Sequence, residues 1–583
     1  MPQRAGTLRS RFLAVASPIF RSGARWWAAG LLALLLAFIL GLNGFNVAAS
    51  YMCRNFTTAV ADKVSDRAVF FALLWAGAFG ALTLVAVFKG FTEDRLRLGW
   101  RQWLTEHLLE RYMARRAYYH MSGRAGIDNP DQRLSEDVRT FTEQTLALFL
   151  ILVNSVITLI SFAGVLWSIT PWLVLAAVLY TGFGSVMTVL LGRRMVKLDV
   201  RQFRNEADLR YDLIQVRDHA EQVAFLGGEP EEKLRLLHRL GVVVANMKGI
   251  IGLSRNISFF TTGYDYLSQL IPLLIVAPLY IRGRVEFGML AQAQIAFLFV
   301  MGAFSVIVKE FQRISTFGAV IERLGSFCEA VEAASATTEK SALEVVEDPA
   351  RIGFEGVTLL TPRDGRVLVR NLTLDVGPGR RLLVVGPSGS GRTCLLRAAA
   401  GLWTAGQGRI ARPPAGRTLF LPQQPYLRRG PLRDQLLYGL GKNHLTDGRV
   451  LEVLEAVGFA GVLGRLGGLN AEQDWGSVLS AGEQQVVAFA RLLLAAPRFA
   501  FLDEAVSAVG EEGACRLYAT LSRTPTAFIS VSSDPVLRRF HDTALELGRD
   551  GAWAVAPVPA GADSPRTLPP PPRPVPAVRA RAG

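Results

Sequence analysis

The chain has 583 residues, half of them hydrophobic (50%), with a mean hydropathy of +0.27 and a formal net charge of +15. That composition is too apolar for an ordinary soluble enzyme, and the length allows several domains. Its basic residues flank apolar stretches, which points to a membrane surface and away from nucleic acid; four scattered cysteines (Cys53, Cys328, Cys394, Cys515) without C-x-x-C spacing argue against a disulfide framework or a zinc site.

The N-terminal arm carries Arg4, Arg9, Arg11, Arg21 and Arg25. No short apolar core with a small-residue cleavage site follows, so no cleaved signal peptide is expected. Stretches of about 20 apolar residues match the hydrocarbon thickness of a bilayer. They are read at 27–49, 68–88, 145–168, 172–192, 257–281 and 286–308, and Ala68 to Phe88 holds no charge. The segment 89–144 carries Arg95, Arg97, Arg101, Arg111, Arg115 and Arg116, and 193–256 is similarly basic. The connection at Thr170-Pro171 has no charge, and the last one holds only Arg282, Arg284 and Glu286. The positive-inside rule then places both termini and both long connections in the cytoplasm, and the loop with Cys53 outside. Each long connection is patterned as an amphipathic helix, through Leu104, Leu108 and Leu109 in one and Leu209, Leu213 and Val216 in the other. They are expected to extend the membrane helices into the cytosol. Asp265, between Tyr264 and Tyr266 in the fifth span, is either a candidate transport residue at membrane depth or a carboxylate wetted at the cytosolic end of its helix.

Residues 1–331 therefore read as a six-span membrane domain and 332–351 as a polar linker. An α/β pattern runs over 352–553. The Pro- and Arg-rich tail 554–583, with Leu568-Pro569-Pro570-Pro571-Pro572, is too poor in apolar surface to fold.

In the α/β segment, the apolar strand 381–385 leads into Gly386-Pro387-Ser388-Gly389-Ser390-Gly391-Arg392-Thr393 and then into a helix-like stretch. This fits the phosphate-cradling P-loop at every defined position but the lysine, which is Arg392. Its glycines let backbone N–H groups close on phosphate at a helix N-terminus, and Thr393 offers a hydroxyl to Mg²⁺. ATP and Mg²⁺ are the expected ligands. Phe499-Ala500-Phe501-Leu502-Asp503-Glu504 is a buried-strand run ending in two carboxylates. Beside a P-loop it reads as a Walker B, with Asp503 holding Mg²⁺ and Glu504 polarising the attacking water. Further along the segment stand Phe420-Leu421-Pro422-Gln423 and Leu479-Ser480-Ala481-Gly482-Glu483-Gln484-Gln485.

Six spans followed by these motifs in this order resemble an ABC half-transporter. Upstream, Trp100 to Tyr119, Ile127-Asp128-Asn129-Pro130-Asp131-Gln132-Arg133 with Glu136-Asp137-Val138, and Ala220-Glu221-Gln222-Val223-Ala224-Phe225 with Gly228-Glu229 are similar to the peroxisomal (subfamily D) ABC transporters and bacterial SbmA/BacA-like relatives. The resemblance implies a membrane α-helical bundle of six helices with cytosolic extensions, fused to an α/β P-loop nucleotide-binding domain. It implies a dimer with a second half-transporter, identical or not, closing head-to-tail over two ATP molecules. Gln423 would be the Q-loop glutamine that reaches metal and water. Leu479, Ser480, Ala481, Gly482, Glu483 and Gln484 would form the signature that faces the partner's nucleotide. Family substrates include peptides, cobalamin and acyl-CoA. The excess of Arg over Lys fits a bacterium with a GC-rich genome, and hence an inner membrane.

Three departures are visible at the phosphate end. Arg392 replaces lysine; Gly510 replaces the D-loop aspartate after Ser507-Ala508-Val509; Ser533 stands where the H-loop histidine belongs. No aromatic sits at the adenine-stacking place near Leu360. Together these lead us to expect a weakened site. Two alternatives to an autonomous ATP-driven transporter stay open: a catalytically weak subunit of a heterodimer, and a proton-driven carrier with a vestigial ATPase that relies on Asp265.

Overall fold

A computed structural model describes residues 7–122, 129–306, 310–339, 342–362, 364–440 and 445–558. Two compact units divide the chain, Met1–Glu332 and Ala333–Gly583. Ile127 and Asp128 of the upstream motif lie outside the described residues.

The first unit is helical. An N-terminal helix, Leu8–Ala16, begins at Thr7, whose hydroxyl accepts from the Ser10 N–H. There follow α1 (Arg25–Ala61), α2 (Ser65–Met113), α3 (Val138–Ile169), α4 (Pro171–Asp218), α5 (Glu229–Ile281), α6 (Gly288–Phe304) and α7 (Phe311–Glu339). Among the described residues five helices are long and apolar enough to cross a membrane, in the regions of the first five expected spans. The sixth span, read at 286–308, is a 17-residue helix, at the lower end of what a bilayer crossing needs. The amphipathic connections do continue the membrane helices. α5 alone runs for 53 residues, roughly 80 Å at the usual rise per residue, and contains Pro272 and Pro278.

Local chemistry sets the turns. Thr170 is extended, and Pro171 opens α4, where its missing N–H costs nothing. Inside the bundle, Asn43 of α1 donates to Asn154 Oδ1 at 3.0 Å and accepts from the Thr158 hydroxyl at 2.7 Å. Such polar bonds tie apolar helices together where hydrophobicity cannot. The upstream motif has a structural job. Residues Arg133–Asp137 form a π-helical turn, and buried Asp137 takes a 2.5 Å ion pair from Arg323 of α7. Arg133 donates in turn to the Arg323 carbonyl at 2.9 Å and to Ser326 Oγ at 3.0 Å.

The second unit holds β1 (Leu343–Glu347), β2 (Ile352–Leu360), β3 (Val367–Val376), β4 (Arg381–Val385), β5 (Gly406–Arg412) and β6 (Thr418–Leu421). A short ribbon pairs β7 (Arg429–Pro431) with β8 (Glu472–Asp474). The last strands are β9 (Phe499–Asp503), β10 (Ala527–Val531), β11 (Thr543–Leu547) and β12 (Trp553–Pro557). One sheet has the order β1-β5-β2-β3 and the other β12-β11-β4-β10-β9-β6. Strands β11, β4, β10, β9 and β6 are parallel, and Val531 lies level with both Val384 and Asp503. The C-terminal ends of β4, β10 and β9 thus share one edge, where open parallel sheets place ligands. Apolar residues of β9 and β10 such as Phe499, Phe501 and Phe528 are fully buried.

Two boundaries differ from the sequence reading. The segment 332–351, expected to be a linker, contains the end of α7 and β1, which pairs in parallel with β5. Its Leu343-Glu344-Val345-Val346 alternates weakly, and only the neighbouring strand gives it a place. The first residues of the tail expected from 554 belong to the sheet: β12 pairs antiparallel with β11 as far as Pro557, and Val558 N–H donates to the Asp542 carbonyl at 3.0 Å. The proline run lies outside the described residues.

Candidate functional site

The loop between β4 and α8 (Arg392–Ala399) has the backbone that a phosphate cradle needs. Gly386 has φ 155°, and a Cβ there would sit 2.5 Å from the Leu547 carbonyl oxygen. Gly391 has φ 94° and caps α8, a left-handed conformation that side chains resist. Pro387, Ser388 and Gly389 are exposed at the tip, and Ser390 N–H closes the turn onto the Pro387 carbonyl. Ser390 is buried, and its hydroxyl oxygen has no partner. An orphaned buried polar atom in a glycine loop at a helix N-terminus fits a phosphate.

The carboxylates arrive from β9. The Thr393 hydroxyl donates to Asp503 Oδ1 at 3.1 Å. Burial pushes the Asp503 carboxyl up, Glu504 adds to this, and Thr393 opposes it. A bound cation would favour the ionised form. Among the described residues no three His, Cys, Asp or Glu side chains cluster as a metal site. Mg²⁺ needs none, because it is commonly held by one carboxylate, a hydroxyl and phosphate oxygens. Glu504 has φ 46°, a strained conformation fixed by its N–H bond to the Val531 carbonyl at 2.9 Å. Gln423 donates to Glu504 Oε2 at 3.0 Å. Arg392 donates to Ser533 Oγ at 2.7 Å and lies 3.5 Å from Glu504 Oε1. Thus Arg392, Thr393, Asp503, Glu504, Gln423 and Ser533, scattered over more than a hundred positions of the sequence, form one cluster at the sheet edge.

The signature residues open α9 (Ala481–Ala495). Ser480 accepts from the Glu483 N–H, and Glu483 accepts from the Ser480 N–H at 2.9 Å, a full capping box. Glu483 also takes Arg465 at 2.5 Å. Burial opposes its ionisation, but Ser480 and Arg465 outweigh that and hold its carboxyl below the usual range. Gln484 donates to the Gly476 and Leu479 carbonyls, and Leu479 is buried in the core. So Leu479, Glu483 and Gln484 shape the helix start, while Ser480 and Ala481 are exposed. Gly482 is a close-approach glycine: a Cβ would meet the Ala508 carbonyl oxygen at 2.6 Å. Gly510, where the D-loop aspartate is missing, is the N-cap of α10 (Glu511–Ser522) and offers no side-chain cap. Trp403 brings an aromatic ring to the Leu360 segment, its indole donating to the Leu360 carbonyl at 3.0 Å. That approach is invisible in the linear spacing.

Sequence reasoning gave Gln485 no role. It is 3% exposed. Its amide nitrogen donates to the Gln423 carbonyl at 2.9 Å and to Ser507 Oγ at 3.2 Å. Its oxygen accepts from Ala508 N–H at 2.8 Å. One side chain therefore braces the loops on either side of Glu504. The available signal was an amide on the apolar face of a helix, since a buried amide needs partners.

Asp265 lies elsewhere, roughly 24 Å short of the end of α5 at Ile281 along the helix axis. It lines a cavity of about 350 Å³ with Thr181 and Ser185 of α4, Tyr264 and Ser268 of α5, and Ser305 after α6. Beside it, the Tyr180 and Tyr264 rings stack at 4.3 Å.

Comparison with known proteins shows the family. Residues 16–281 match the family described as ABC transporter transmembrane region 2, and residues 369–507 match the family described as ABC transporter. The chain is 41% identical over 546 residues to an uncharacterized ABC transporter ATP-binding protein of Synechocystis sp., covering 92% of this chain and 82% of that protein. It is 36% identical to the chloroplastic ABC transporter D family member 2 of Arabidopsis thaliana, over 93% of this chain and 86% of the relative. It is 31% identical to the human lysosomal cobalamin transporter ABCD4, covering 80% and 82%. A helical membrane unit fused to a P-loop domain, with relatives matched along most of both chains, places this protein in the ABC transporter family, among the half-transporters that include the D family.

Proposed function

We propose that this chain couples ATP hydrolysis to movement of a solute across a bacterial inner membrane, as one half of a dimer with both termini in the cytoplasm. The observation that carries the reading is the cluster at the ends of β4, β10 and β9, where Thr393, Asp503, Glu504 and Gln423 converge. Thr393 and Asp503 would hold Mg²⁺, which neutralises charge on the β- and γ-phosphates when bound. The backbone of Gly386–Gly391 cradles phosphate, and Arg392 faces its outer end. Glu504, held by Gln423, orients a water and accepts its proton at a carboxylate oxygen. Ser480 and Gly482 serve the nucleotide of the partner half-transporter, because the start of α9 is exposed and a helix N-terminus favours an anion.

A second reading has its own support. Ser480 and its capping box are intact, while Gly510 and Ser533 depart from the pattern. This chain would then lend its signature to a different half-transporter with a competent cleft. The polar cavity at Asp265 supports a solute or proton site in either case. Peptides, cobalamin-like and acyl-CoA-like solutes remain the candidates.

Vanadate-sensitive ATPase activity of the chain purified alone is the test. Robust turnover by a homodimer supports the first reading. Turnover only with a co-expressed partner supports the second. No ATP binding under either condition would refute both.

A further inference from the structure

We infer that Arg392 and Ser533 are one compensated pair, in which the arginine takes over both the P-loop lysine's and the H-loop histidine's contacts to the outer phosphate. This rests on reading the cleft as an ATP site. The two departures are 141 positions apart in sequence, yet the guanidinium donates to the serine hydroxyl at 2.7 Å. The sheet brings the two segments together: Arg392 follows the loop after β4, Ser533 follows β10, and the two strands are hydrogen-bonded neighbours in parallel register.

A lysine carries a compact ammonium on a flexible stem, whereas arginine carries a planar fork with more N–H donors in fixed directions. Here one edge of the fork is anchored by Ser533 Oγ and another faces Glu504 Oε1 at 3.5 Å. Two anchors fix the plane. The N–H groups they do not use keep the directionality that bidentate phosphate recognition requires. The side chain is only 13% exposed, so the charge is partly desolvated and its orientation counts. A serine is much shorter than a histidine, and the longer arginine fills the space and supplies the donor. An imidazole at 533 would meet the guanidinium; an ammonium at 392 would leave Ser533 without its donor. Each substitution toward the common pattern is therefore harmful alone and harmless together, the reverse of two independent losses.

The experiment measures ATP and ADP affinity of the full-length protein in lipid nanodiscs, by displacement of a fluorescent ATP analogue. The variants are Arg392→Lys, Ser533→His, the double variant, Ser533→Ala and Ser533→Thr. Each of R392K, S533H and S533A should weaken ATP binding roughly tenfold, the cost of one misplaced charge-assisted bond. ADP binding should change little in the Ser533 variants, because ADP lacks the outer phosphate, and less than ATP binding in R392K, because the P-loop cation also reaches the β-phosphate that ADP keeps. S533T keeps the hydroxyl and should bind ATP like the parent. The R392K/S533H protein should return to within about threefold of the parent, a coupling that distant independent sites do not show. Losses that multiply in the double variant would overturn the pairing, as would an R392K protein that binds ATP as tightly as the parent. If the parent binds no ATP at all, the ATP reading fails and takes this inference with it.

Discussion

Gln485 offers a sharp test of how the cleft is held together. Replacing it by alanine removes the bonds to the Gln423 carbonyl at 2.9 Å and from the Ala508 N–H at 2.8 Å, along with the longer contact to Ser507. Each partner left unsatisfied in a part-buried setting costs about 1–3 kcal/mol. Loops can turn one group to water, so the local loss should be about 2–4 kcal/mol. The two loops carry Gln423 and the segment after Glu504, and a shift near 1 Å can cost up to about a hundredfold in rate. Gln485→Ala should therefore lower ATPase activity at least about tenfold and raise hydrogen exchange at 423–428 and 505–510, with the strands unchanged. Gln485→Glu keeps the shape but sets a carboxylate against the Gln423 and Glu504 carbonyls. Burial among acceptors raises such a carboxyl's pKa. It donates while protonated, so this variant should work best at mildly acidic pH and fail as pH rises through the raised value. Normal exchange and normal turnover in the alanine variant would refute the bracing role.

Other outcomes follow from the same geometry. Glu504→Gln should abolish turnover while ATP binding is retained, and hydrolysis at the parent rate would remove Glu504 from the role of base. Gly482→Ala forces a methyl to 2.6 Å from the Ala508 carbonyl oxygen; it should cost about 1–3 kcal/mol, seen as a lower Tm, and an unchanged Tm would show that the loop yields freely. Asp265→Asn should reduce solute uptake and flatten its pH dependence with ATPase activity nearly unchanged, and unchanged uptake at every pH would leave Asp265 a wetted structural carboxylate. His541 is buried, and desolvation lowers its pKa from 6.5 to about 4, against the bond to the Leu537 carbonyl. The unfolded imidazole binds a proton that the folded one refuses. Stability is therefore unaffected above pH 6.5 and falls as pH drops toward 4, by about 3 kcal/mol in all. Denaturant unfolding against pH should show this slope, and His541→Phe should flatten it.

The sequence alone determined what depends on local pattern and composition. Runs of apolar residues long enough for a bilayer mark the membrane helices, because no unsatisfied backbone survives in hydrocarbon and the helix is the economical answer. Gly386–Thr393 and Asp503-Glu504 announce a phosphate site, because strand, glycine loop and helix start are contiguous in the chain. The tertiary structure decided what depends on neighbours distant in sequence. β1 is a strand only because β5 lies beside it, and Trp553–Pro557 is a strand only because β11 accepts it. Asp137 and Arg133 matter through α7, far along the chain. Gln485 reads as a conventional helix residue until the loops at Gln423 and Ala508 close around it. Arg392 and Ser533 read as separate losses until adjacent parallel strands set their side chains in contact. The physical reason is the same in each case: a strand edge, a buried amide and a guanidinium all take their energy from partners, and only the folded sheet supplies them.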